Sequence, residues 1–188
     1  MARKIKIEDD EIKTVITKII GDLSSKKWLG KINVTYDIRT DERKATLKIT
    51  PEAWLKIKAL VDEFSTEVEW HGLCRRINEF EFELYDVLVF PHEATGTTVT
   101  SDQEEYEAWL DEIDDETYDH LKFHGHSHVR MAVHPSSVDM EYRNNILNHL
   151  PTPAEGYDVY YIFLIVNKNN DVSGQIYDLT NNAIYDTF

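Results

Sequence analysis

The chain has one cysteine, Cys74, so no disulfide can close within it, and a reducing compartment is expected. It is short of basic side chains: 20 Lys and Arg stand against 35 Asp and Glu, a formal net charge of −15. A surface this negative repels phosphate backbones, which argues against nucleic acid or an anionic membrane as a general partner. No uncharged apolar run approaches the roughly 20 residues of a membrane span. The first ten residues, Met1 to Asp10, lack the continuous apolar stretch of a signal peptide, so a cytoplasmic location is expected. Internal repeats and low-complexity tracts are also missing. What is present is a globular composition, 41% hydrophobic and 29% charged over 188 residues, enough for one sizeable core.

Hydrophobic periodicity divides the chain into alternating helices and strands. Ile12, Val15, Ile16, Ile19, Ile20 and Leu23 recur at helical spacing, and residues 32–38 and 45–49 alternate as a hairpin around a polar break. Thr50 and Pro51 form an N-cap and first helical residue for a helix whose predicted buried face is Trp54, Ile57, Leu60, Val61 and Phe64. Strands are expected between residues 67 and 90, then a polar, acidic stretch over 92–119 with a helix around 104–113. A short strand over 121–127, a helix over 137–150, and strands over 159–166 and 172–178 follow. This interleaving predicts an α/β or α+β fold. Residues 1–50 are either an accessory layer or part of the same domain as residues 51–188.

The segment from Phe123 to Asp139 carries the chemistry. On an extended chain alternate side chains share a face, so His126 and His128 can present two imidazoles to one ion. Asp139, eleven residues after His128 at the start of a helix, can return as a third ligand. Two His and one Asp leave a fourth tetrahedral position for water, the arrangement of catalytic rather than structural zinc sites. Zinc lowers the pKa of such a water to roughly 7, and a carboxylate is the usual proton shuttle beside it.

The pattern His126-Ser127-His128, seven further residues, Ser136, two residues, Asp139 resembles the JAMM motif of the JAB/MPN metalloprotease family. Glu69-Trp70-His71-Gly72 resembles that family's upstream glutamate and its glycine three residues on. The resemblance spans residues 50–177, and the His-Ser-His-Val-x-Met form is closer to bacterial and phage members than to eukaryotic deubiquitinases. It implies a cytidine-deaminase-like mixed sheet flanked by helices, zinc on His126, His128 and Asp139, and Glu69 as general acid/base. Ser136 would hydrogen-bond the developing oxyanion or the water. The implied reaction is hydrolysis of a peptide or isopeptide bond, typically at the C-terminus of a ubiquitin-like protein. Two departures stand out: Val129 where many members have proline, and His124 where many have an aromatic residue. They bear on substrate more than on metal.

Several of these residues also have a structural reading. Ser136-x-x-Asp139 is close to a helix capping box, which competes with metal binding for Asp139. Glu67 shares a strand face with Glu69 and competes with it as the proton shuttle. His124 is a candidate second donor or alternative ligand. His71 and His134 are expected at the surface, Cys74 as a buried, idle thiol, and Tyr157, Tyr160, Tyr161 and Phe163 in the core. Tyr106 and Trp109 suit either core packing or a partner contact. Two rival functions remain open: a zinc peptidase acting on a linear peptide or a maturing viral protein without a ubiquitin-like partner, and a catalytically silent scaffold.

Overall fold

In the computed structural model, which describes residues 44–94, 99–100, 103–154 and 157–186, Thr50 caps a helix as its sequence predicts. Its hydroxyl accepts the Ala53 N–H at 3.3 Å, and Pro51 occupies the first turn, where a missing N–H costs nothing. This helix, α1 (Pro51–Glu63), buries Ala53, Ile57 and Val61, one stripe at i, i+4, i+8. Trp54 and Leu60 pack at its margin, but Phe64 is exposed, because the chain leaves the helix there in an extended conformation.

The strands are β1 (Thr46–Ile49), β2 (Glu69–Asn78), β3 (Glu81–Leu88), β4 (Glu93–Ala94), β5 (Val99–Thr100), β6 (Leu121–Ser127), β7 (Tyr160–Val166), β8 (Val172–Asp178) and β9 (Ala183–Asp186). Three further helices are α2 (Gln103–Asp111), α3 (Asp115–Asp119) and α4 (Ser137–His149). Seven strands form one mixed sheet in the order β1-β3-β2-β6-β7-β8-β9, and β4 and β5 form a separate pair. β1 runs parallel to β3 and β6 parallel to β7; the other pairs of the sheet are antiparallel. A parallel pair needs a long crossover, and α4 lies within the one between β6 and β7. The architecture is therefore mixed α and β, with helices against both faces of the sheet.

Each face follows from strand alternation. Trp70, Phe82, Leu84, Phe123, Ile162, Leu164 and Ile176 point to one side and close over α1 in the main core. Burying each such side chain stabilises the fold by about 1.5–3 kcal/mol. Glu69, His124, His126, Phe163 and Tyr177 lie on the other side, under α4. β7 is buried along its whole length because both of its faces are covered.

Several expectations need correction or limiting. Of residues 1–50, Thr46–Ile49 is a strand of the main sheet. The helix over 11–23 and the strand over 32–38 lie outside the described residues. Tyr157 is 71% exposed while Tyr160, Tyr161 and Phe163 are buried, since Tyr157 precedes the strand that carries the others inward. The strand β9 and the short helix α3 were not expected, and both are short elements whose sequences carry little periodicity. Among the described residues no helix is long and apolar enough to cross a membrane.

Two carboxylates converge on Arg76, on a strand next to the sheet's centre. Its Nη1 and Nη2 each donate to the fully buried Asp178 at 2.9 Å, and Nε donates to Asp158 at 2.9 Å. Burial opposes the charge on Asp178, but hydrogen bonds from Arg76 and Asn181 prevail and hold its carboxyl below the ordinary range. A carboxyl depressed on folding contributes stability above its unfolded pKa, and loses it as pH falls through the folded value. Asp178→Asn is expected to cost about 3 kcal/mol at pH 7, the low end for a broken buried pair because Asp158 remains. Urea unfolding of both proteins should show that difference shrinking as the pH is taken below about 4.

Candidate metal centre

The antiparallel register of β2 with β6 sets Glu69 opposite His126 and His71 opposite His124. Directly opposed side chains sit with their Cβ atoms about 4.5–5.5 Å apart, so this pairing alone brings the predicted proton shuttle beside a predicted ligand. Ser127, between the two histidines, points the other way. Its hydroxyl accepts the Val68 N–H at 3.0 Å and its own N–H donates to the Val68 carbonyl at 2.9 Å, which ties the approach to Glu69 onto β6.

His128 lies just past the strand end and is held by a hydrogen bond from its N–H to the Val166 carbonyl at 3.0 Å. The next residue, Val129, has φ 42°, a left-handed conformation costly for a β-branched side chain. Proline, with φ fixed near −65°, could not take this path. The turn then folds the Ala132 carbonyl back to accept His128 Nδ1–H at 2.7 Å. That bond makes Nδ1 the donor and turns Nε2 toward His126 and Asp139.

The three predicted ligands meet. His126 Nε2 and His128 Nε2 are 3.1 Å apart, His126 Nε2 is 3.3 Å from Asp139 Oδ1, and His128 Nε2 is 3.4 Å from Asp139 Oδ2. Asp139 also completes a capping box: Ser136 N–H donates to its Oδ2 at 2.5 Å, and its own N–H donates to Ser136 Oγ at 3.2 Å. Capping and convergence on the histidines are therefore not alternatives, because the cap turns the carboxylate toward them. Burial opposes the charge on Asp139, yet hydrogen bonds from His126 and His128 hold its carboxyl far below the usual range, and its carboxylate in turn raises His128.

Around this cluster lies a cavity of about 240 Å³ whose lining includes Glu69, His124, His126, Asp139, Tyr142 and Arg143. Burial, then the charges of Asp139 and Glu67, push the Glu69 carboxyl up to about 7. Glu67 is also buried and interacts electrostatically with His126, His128 and Asp139, but it lies before β2 begins. Ser136 is exposed and does not line the cavity.

His71 is buried rather than at the surface, while His134 is exposed as expected. His71 Nδ1 donates weakly to the Phe123 carbonyl at 3.4 Å, and Nε2 accepts the Tyr106 hydroxyl at 2.9 Å. Burial lowers its pKa to about 4, so it is a neutral acceptor at pH 7. Trp109 stacks on it and Phe90 packs beside it, so Tyr106 and Trp109 are the side chains through which α2 meets the sheet. Cys74 is fully buried, and burial raises its thiol well above its usual pKa, which makes it inert. The sequence reading missed Tyr142 and Arg143. Their spacing of i+3 and i+4 from Asp139 is the signal that places them on its helix face.

No family model and no curated protein matches the chain. Among solved structures, a protein from Desulfitobacterium hafniense is 12% identical with a TM-score of 0.48, over 75% of this chain and 89% of that one. A protein from Salinibacter ruber is 12% identical with a TM-score of 0.40, over 75% of this chain and 88% of that one. Likenesses this distant carry no argument about function.

Two glycines admit the side chains beneath the site. A Cβ on Gly125 would stand 2.3 Å from the Trp70 indole, and one on Gly72 would stand 2.5 Å from Leu84 and 2.7 Å from Phe123. The first makes room for a buried tryptophan directly between His124 and His126. Gly125→Ala is expected to destabilise the protein by about 1–3 kcal/mol, the usual cost of overpacking, and to displace His126. Denaturant unfolding of the variant measures the first effect and the shift of the His126 ring resonances the second.

Proposed function

We propose that the chain is a zinc-dependent hydrolase of peptide or isopeptide bonds, of the JAB/MPN type, with the cytidine-deaminase-like arrangement of mixed sheet and helices which that family implies. The observation that carries this reading is the meeting of His126, His128 and Asp139: the two Nε2 atoms are 3.1 Å apart, and each lies 3.3–3.4 Å from one of the two Asp139 carboxylate oxygens. Ligands of a tetrahedral ion at zinc–nitrogen and zinc–oxygen distances are about 3.3–3.4 Å from each other, so the donor set fits that ion. The fixed His128 tautomer and the capped Asp139 are supports that such ligands ordinarily have. Zinc bound there supplies an acidified water and a Lewis acid for the scissile carbonyl.

The chain's own groups do the rest. Glu69, opposite His126 in the same cavity, accepts the proton of the attacking water and hands it to the departing amine. A carboxyl near 7 suits a group that must both take and give a proton at neutral pH. Ser136, at the rim outside the cavity lining, uses its oxygen as the acceptor of the helix cap, and its hydroxyl proton is left to donate to a water or oxyanion that reaches it. The resemblance brings with it the C-terminus of a ubiquitin-like protein as substrate. A silent scaffold is disfavoured by a complete set of ligands and proton shuttle.

Metal analysis of the purified chain tests this first. Wild type and Glu69→Gln should hold about one zinc each, and His126→Ala/His128→Ala none. Zinc should raise the melting temperature of the first two only, since a ligand bound to the native state stabilises it by mass action. With a cleavable substrate, Glu69→Gln should lose at least about 100-fold in rate while keeping its metal. A wild-type chain that takes up no zinc overturns the hydrolase reading.

A further inference from the structure

One buried cation beside the metal centre has no anion. Arg143 is 4% exposed, lies one helical turn after Asp139 on α4, and lines the same cavity. Its guanidinium rests on the rings of Phe163 and Tyr177, 4.8 Å and 5.8 Å from their centroids. Nη1 is engaged by Gln175 Oε1 and, at 3.4 Å, by the Tyr177 hydroxyl. The opposite edge is bare. Among the described residues neither Nε nor Nη2 has a hydrogen-bond acceptor, and no carboxylate forms an ion pair with Arg143; Nε is shut off from water while Nη2 is not.

Leaving charged donors unpaired in a dry pocket is costly, and a buried guanidinium is normally matched by a carboxylate. The free edge has the shape for one. Nε–H and Nη2–H point the same way in a guanidinium plane and take both oxygens of a carboxylate side-on. A carboxylate seated on Nη2 brings its second oxygen toward Nε. His124 Nδ1, buried without a partner in the lining of the same cavity, is a further polar atom available there. The cavity's 240 Å³ suits one residue rather than a large cofactor.

We propose that Arg143 is the carboxylate-binding, specificity-determining residue of this site, selecting substrates that carry a carboxylate within one residue of the scissile bond. The spacing supports this: side chains at i and i+4 have Cβ atoms about 5–6 Å apart, and one residue of extended substrate spans about 3.3–3.6 Å. A bond held at the Asp139 end thus places a neighbouring carboxylate at the Arg143 end. That carboxylate is either the substrate's own C-terminus or an acidic side chain; both offer the same two oxygens. The inference rests on the hydrolase reading for what the site does, but the anion subsite is tested by binding alone.

The experiment is a titration of the zinc-loaded full chain, with the zinc content of the same sample measured beforehand. N-benzoylglycine supplies a terminal carboxylate, N-acetylglutamic acid α-amide a side-chain one, and N-benzoylglycinamide neither. The expected result is a saturable shift of the Arg143 Nε–H resonance with a carboxylate probe and none with the amide. Arg143→Gln and Arg143→Lys should each weaken that binding about tenfold to hundredfold. Tighter binding of N-benzoylglycine identifies a C-terminal carboxylate, and tighter binding of the glutamate probe an acidic side chain. The proposal is overturned if the Nε–H signal does not move, if the amide moves it equally, or if Arg143→Gln binds N-benzoylglycine unchanged, since the carboxylate is then on the metal. Should a variant fail to fold, the wild-type Nε–H signal decides. A sample without zinc refutes the hydrolase reading instead, and the same titration of that sample still decides the anion subsite.

Discussion

The pairing of β2 with β6 is the constraint on which the candidate site depends. A shift of one residue would turn Glu69 and His126 to opposite faces and send either Trp70 or Phe123 out of the core. Register here is enforced by burial, because Trp70 fits only over Gly125 and Phe123 only over Gly72. The two Val68–Ser127 hydrogen bonds lock the end of the pair where the chemistry lies. The large apolar residues on one face thus position the polar ones on the other.

Onto that frame the third candidate ligand is delivered by a helix terminus. The Ser136–Asp139 capping box satisfies backbone N–H groups that a helix start leaves unpaired, and its geometry turns the Asp139 carboxylate toward the histidines. The same helix places Tyr142 and Arg143 one turn further over the sheet, so one element supplies the ligand and the cavity's far wall. The strained Val129 turn is the local cost of bringing His128 back to face His126. Strain of this kind persists only where the surroundings over-determine it, and here the bonds to Val166, Ala132 and Lys168 do so.

Charge is distributed unevenly through the fold. Among the described residues most acidic side chains are exposed, whereas the buried charges are few. Arg76 is saturated by Asp158 and Asp178 and serves the fold. Glu67, Glu69 and Asp139 gather where a divalent cation would balance them. Arg143 is a buried cation whose hydrogen bonding among the described residues is left half complete, which is why it, and not the exposed acidic surface, points to a ligand.

Much of this was legible in the sequence wherever the signal was local. The Thr50-Pro51 cap, the alternation of His126 and His128, the capping box at Ser136 and the apolar run of β7 depend on neighbours within a few residues, and each appears where periodicity puts it. Tertiary structure decided the rest. Burial of His71 depends on α2 folding over it, exposure of Phe64 and Tyr157 on where the chain leaves its elements, and the parallel partner of β1 on a strand over thirty residues away. The bare edge of Arg143 is likewise set by which side chains of β7 and β8 lie beneath it. Spacing along the chain settles which residues share a face; which faces then meet is settled by packing across the sheet, and sequence period carries no record of that.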